Sequence, residues 1–109
     1  MSAQRHLQVV GLLPARRERY LELHAAVWPA VQQRLRPSNV SNYAIFIRDD
    51  LLIGYFEYTG SNWAADSALI AADPATREWW ALTDECQVAL DTGEPGALWA
   101  EAQEIWHLP

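Results

Sequence analysis

Tyr20, His24 and Trp28 are spaced at i, i+4 and i+8, a spacing that brings side chains onto one face of a helix. With Tyr20 at zero on a 3.6-residue wheel, His24 falls at roughly 40° and Trp28 at roughly 80°. Leu21, Leu23 and Val27 occupy the same broad arc, so an imidazole and a phenol sit within an apolar stripe. Imidazole is the side chain whose two protonation states are both populated near neutral pH, which suits it to giving and taking protons. A phenol one turn earlier can hydrogen-bond the same ligand. A packed core histidine beside a packed tyrosine gives the same pattern, so the spacing nominates His24 and Tyr20 without deciding between the two roles.

Trp79-Trp80 is the second unusual feature among six tryptophans. Adjacent helix positions point about 100° apart, so one indole can pack inward while its neighbour faces a cleft. Indole faces stack on C–H-rich sugar faces and on other apolar ligands; both residues could equally be core or subunit contacts. Asn42-Tyr43 opens a strand, with side chains expected on opposite faces. Asn42 suits hydroxyl recognition or the end of a loop. Tyr43 suits the core or the cavity that His24 faces. Glu57, Glu101 and Glu104 on strands could be buried acids, though strand glutamates are more often solvated or at edges. His6, His24 and His107 lack the close paired spacing of zinc ligands, so no metal is expected. There is no glycine-rich phosphate loop, no Ser-His-Asp arrangement and no histidine partner for Cys86. The inventory fits proton transfer on a neutral ligand that stacks on aromatics better than nucleophilic or redox chemistry.

These residues need elements to hold them. His6–Leu12 is read as a first strand. A helix follows from Ala15 to about Ala26, with Pro14 at its first turn. Pro29 interrupts the helix, and a second helical piece runs to Arg36. Val40–Arg48 and Leu51–Thr59 form a hairpin around Asp49-Asp50. Ser61 or Asn62 caps a helix to about Ala72. Asp73 caps the next, which begins at Pro74 and is expected to reach about Leu90. Residues 91–96 form a loop, and Leu98–Leu108 a last strand. The order β-α-β-β-α-β predicts an α+β, ferredoxin-like antiparallel sheet with helices on one face. The other face is apolar and must be covered; a second copy of the chain is the simplest cover.

The 109 residues, half of them apolar and 20% charged, predict a single globular domain over 1–109. A net charge of −6, with no basic run, argues against nucleic acid as a partner. The single cysteine rules out an internal disulfide framework and fits a reducing compartment. Neither a leader nor a membrane span is evident, so a cytoplasmic protein is expected.

The stretch from Arg19 to Pro29 resembles the Tyr-x3-His-x3-Trp-Pro signature of L-rhamnose mutarotases. Asn42-Tyr43-Ala44-Ile45, Trp79-Trp80 with Thr83-Asp84, and the closing run from Gln103 to Pro109 resemble further motifs of that family, in order along nearly the whole chain. The resemblance implies a dimeric α+β barrel that interconverts the anomers of L-rhamnose or a close 6-deoxy-sugar without a cofactor. It assigns His24 as the proton donor and Tyr20, Tyr43, Trp79 and Trp80 as sugar contacts. His107 and Leu82 depart from the tyrosine and methionine of the family pattern, which leaves sugar preference open at position 107. L-fucose mutarotases of similar fold lack the tryptophan pair, which favours rhamnose. A cofactor-free monooxygenase, a haem-binding protein or a non-catalytic ligand-binding module on the same barrel are the rival readings.

Overall fold

The computed structural model describes residues 3–91 and 97–109. Its central strand, β1 (Gln4–Leu12), follows a run of alternating and β-branched residues and is paired on both edges. A short 3-10 turn at Pro14–Arg16 leads into α1 (Arg17–Ala25). Trp28 is extended, as the residue before a proline must be, and Pro29 opens α2 (Pro29–Leu35). Next come β2 (Val40–Arg48) and β3 (Leu51–Tyr58), joined through Asp49, whose φ of 50° makes the tight turn. Two capped helices follow. Asn62 accepts from the Ala65 N–H at 3.1 Å and starts α3 (Trp63–Ala72). Asp73 accepts from the Thr76 N–H at 3.0 Å and starts α4 (Pro74–Asp84), the proline occupying the first-turn position it tolerates.

β3 lies between β2 and β1, antiparallel to both. The free edge of β1 is covered by two short strands, β4 (Gln87–Val88) and β5 (Ala100–Ala102). This is the predicted ferredoxin-like order, with the last strand position divided between two segments. Val10, Leu12, Leu52, Phe56 and Tyr58 are buried on the inner face of the sheet. Tyr20 of α1 and Ile70 of α3 join the clusters built on these residues. Leu23, Val31 and Trp79 form a third cluster between α1, α2 and α4.

Three expectations are corrected. The fourth helix stops at Asp84 rather than near Leu90. Gln87 and Val88 pair with Gly11 and Leu12 instead, and the Leu13 N–H bonds the Cys86 carbonyl at 2.8 Å. Satisfying an open strand edge outweighs continuing a helix. The closing strand is three residues long rather than eleven. Beyond Ala102 the chain runs past the ladder, and Ile105, Trp106 and Leu108 are 92%, 75% and 71% exposed. The third correction is in β2, where Asn42 and Tyr43 together oppose Phe56, a bulge between Ser41 and Ala44 with Asn42 at φ 50°. The loop expected over 91–96 falls, beyond Asp91, outside the described residues.

Gly11 is where β4 closes against β1. A Cβ there would lie 2.8 Å from both the Val88 carbonyl oxygen and Val88 Cγ1, and the carbonyl belongs to backbone that cannot swing away. Gly11→Ala should therefore destabilise by ~1–3 kcal/mol, the usual cost of overpacking, as read from the shift in urea midpoint.

Candidate active site

The His24 Nδ1 lies 2.9 Å from the backbone carbonyl of Tyr20, one turn earlier on α1. A carbonyl only accepts, so Nδ1 carries the proton and donates it. That bond is available to the imidazole both neutral and charged, which leaves Nε2 as the atom that gains or loses a proton. Nε2 has no hydrogen-bond partner among the described residues. The ring is held from two sides. Tyr20 stacks on it at 4.1 Å between centroids, and Trp79 meets it edge-on at 5.3 Å.

Tyr20 itself is buried, and its hydroxyl is pushed up to about 12 by that burial, against the opposing effect of the neighbouring Gln87 amide. It stays protonated at neutral pH, a state that can donate a hydrogen bond but cannot accept a proton as a base. Tyr43 reaches the same space from β2 because the bulge turns it inward, where it stacks on Phe56 at 5.4 Å. The residue is 45% exposed, yet desolvation raises the pKa of its hydroxyl. The two facts agree if the surface it exposes is cavity wall, with protein atoms around it.

Two adjoining cavities, of about 900 Å³ and about 280 Å³, open here. Tyr20, His24, Tyr43, Trp79 and Trp80, the five residues singled out from the sequence, line both. The tryptophan pair divides as adjacent helix positions must: Trp79 is 5% exposed and Trp80 40%. Trp28 is not on the face of α1, because the helix ends at Ala25. It packs edge-on against Trp79 at 5.3 Å instead.

Other candidates are engaged elsewhere. Asn42 donates to Glu57 Oε1 at 2.8 Å and Tyr55 to Glu57 Oε2 at 2.8 Å, so that carboxylate belongs to the outer face of the sheet. The Asn42 bond, followed by that from Tyr55, holds Glu57 below its ordinary value. His6 stacks on Phe56 and donates to Glu101, while Glu104 pairs with Arg5. His107 is exposed and lines neither cavity. Among the described residues no three His, Cys, Asp or Glu side chains gather as a metal site. The smaller cavity is completed by Thr83, Asp84, Gln87 and Trp99, which the sequence did not single out as site residues.

A family model described as L-rhamnose mutarotase matches residues 5–108. The chain belongs to the L-rhamnose mutarotase family. It is therefore a sugar mutarotase, an isomerase, and the two cavities are the natural place to look for its sugar. An L-rhamnose mutarotase of Listeria monocytogenes is 26% identical, over 96% of this chain and 98% of its own length. An L-fucose mutarotase of Xanthomonas campestris is 34% identical, over 99% of this chain and 90% of its own. Among solved structures, an L-rhamnose mutarotase from Formosa agariphila superposes with a TM-score of 0.75 at 20% identity, covering 97% of this chain and 99% of that one. That likeness supports the ferredoxin-like fold described above. No helix among the described residues is long and apolar enough to cross a membrane.

Proposed function

We propose that this mutarotase interconverts the α and β anomers of L-rhamnose, with His24 Nε2 as the atom that protonates the ring oxygen. This reading is supported by the anchored Nδ1–H, which leaves Nε2 unpaired in a histidine that lines a cavity walled by hydroxyls and indoles. Proton transfer to the ring oxygen breaks its bond to the anomeric carbon as the anomeric hydroxyl becomes a carbonyl. Rotation of that carbonyl end and reclosure return the proton to Nε2 and give the other anomer. Tyr20 and Tyr43 hold sugar hydroxyls, and the C–H face and methyl group of the deoxy-sugar lie on Trp80.

L-fucose is the second reading, favoured by the 34% identity to the Xanthomonas enzyme. Saturation transfer between anomeric proton resonances separates the two. L-rhamnose should exchange at least tenfold faster than L-fucose at equal enzyme, and the reverse order would make L-fucose the substrate.

The proposal includes a cytoplasmic homodimer. The outer sheet face carries Leu7 and Phe46, 38% and 58% exposed, and the terminal segment adds Ile105, Trp106 and Leu108. A second chain removes that apolar surface from water at roughly 25 cal/mol per Å². Light scattering at micromolar concentration should give twice the chain mass. A stable monomer would remove the basis for the partner.

A further inference from the structure

Opening a pyranose moves two protons. One must reach the ring oxygen, and the other must leave the anomeric hydroxyl. His24 Nε2 accounts for the first, and Tyr20, kept protonated, does not accept the second. We propose that Asp84 is the second catalytic residue, the carboxylate that takes the anomeric proton while His24 protonates the ring oxygen. This rests on the mutarotase reading of the same cavity.

Asp84 is the carboxylate on the wall of the smaller cavity, which it shares with His24. It lies one turn after Trp80 on α4, so indole and carboxylate share a stripe. A sugar with its C–H face on Trp80 thereby offers its hydroxyl edge to Asp84. The position is unfavourable for a purely structural aspartate. It is the last residue of α4, where the helix dipole repels negative charge, and that last turn contains no basic residue. Asp84 is exposed, and among the described residues its carboxylate makes neither a hydrogen bond nor an ion pair. The cavity wall desolvates its carboxylate in part and raises its pKa. The titratable groups facing it across the cavity are Tyr20 and His24 from α1 and Tyr43 from β2; β4 and the 98–99 segment bring only Gln87, Leu98 and Trp99.

The step balances. With His24 charged and Asp84 ionised, the anomeric O–H bond breaks to the carboxylate and the carbonyl forms. The C1–ring oxygen bond breaks, and that oxygen takes the Nε2 proton. After rotation, reclosure returns one proton to Nε2 and the other from Asp84 to the anomeric oxygen. Neither oxidant nor co-reactant is needed.

The test compares the wild type with Asp84→Asn and Asp84→Ala, using anomer exchange by saturation transfer, sugar affinity by calorimetry and melting temperature. Asp84→Asn should lower exchange by roughly 10²-fold, change affinity less than tenfold, and melt at or above the wild-type temperature. Added formate should restore part of the Asp84→Ala rate above the formate-catalysed background. Exchange by Asp84→Asn within threefold of wild type, or a loss appearing only in affinity, overturns the role of Asp84 while the mutarotase reading stands. A wild type that exchanges neither L-rhamnose nor L-fucose overturns that reading, and the proposal with it.

Discussion

His24→Asn should lower anomer exchange by roughly two to four orders of magnitude, the range that a positioned acid–base group contributes, while sugar affinity falls less than tenfold. Asparagine is chosen because its amide can still donate to the Tyr20 carbonyl that now holds Nδ1 at 2.9 Å. The anchor is then kept while Nε2 is removed. Melting temperature should change by only a few degrees, since His24 is half-buried rather than a core residue. A merely packed histidine gives the opposite pattern, with a lower melting temperature and unchanged turnover per folded molecule. Measuring exchange, affinity and melting on one sample distinguishes the two, and wild-type exchange in a well-folded variant would end the case for His24.

The tryptophan pair should separate into two different losses. Trp79 packs with Leu23 and Val31 and meets both His24 and Trp28 edge-on. Trp79→Ala should cost ~3–5 kcal/mol, as for an aromatic removed from a core, enough to unfold part of the sample at ambient temperature. Trp80 is cavity wall. Trp80→Ala should leave the urea midpoint close to wild type and weaken sugar binding about tenfold, in line with an aromatic contact of ~0.5–1.5 kcal/mol. Unchanged affinity in folded Trp80→Ala would show that the sugar lies elsewhere on the wall.

The candidate site was legible where chemistry and helical period coincide. Tyr20 and His24 one turn apart, and two indoles 100° apart on α4, need only the helix to be recognised, and Pro14, Pro29, Asp73 and Pro74 mark where the helices begin. The hairpin and sheet order follow from strand composition and element order. What local pattern could not supply was competition between elements. Cys86–Leu90 continues a helical stretch, and only the open edge of β1 pulls Gln87 and Val88 into a strand. That edge is a tertiary fact, so Gln87 and the end of the helix at Asp84 were missed together. The closing run alternates well enough for a strand, but past Ala102 no strand among the described residues pairs with it. Trp28 fell on the expected wheel and off the real one because α1 stops three residues short.

The bulge in β2 was readable in principle. Val40, Tyr43, Ile45 and Ile47 line the inner face at spacings of three, two and two, and the odd step requires one extra residue. Asparagine, which tolerates positive φ, stands there with φ 50°. Its consequence is genetic. The register shifts by one residue across the bulge, from Ser41 opposite Glu57 to Ala44 opposite Tyr55, so removing one residue restores a continuous ladder. A chain missing that one codon would therefore pair Tyr43 alone with Phe56 and turn no side chain over. Strand curvature, and with it the depth of Tyr43 in the cavity, can thus be altered in a lineage by a single in-frame deletion, a step that substitution at any neighbouring position does not provide.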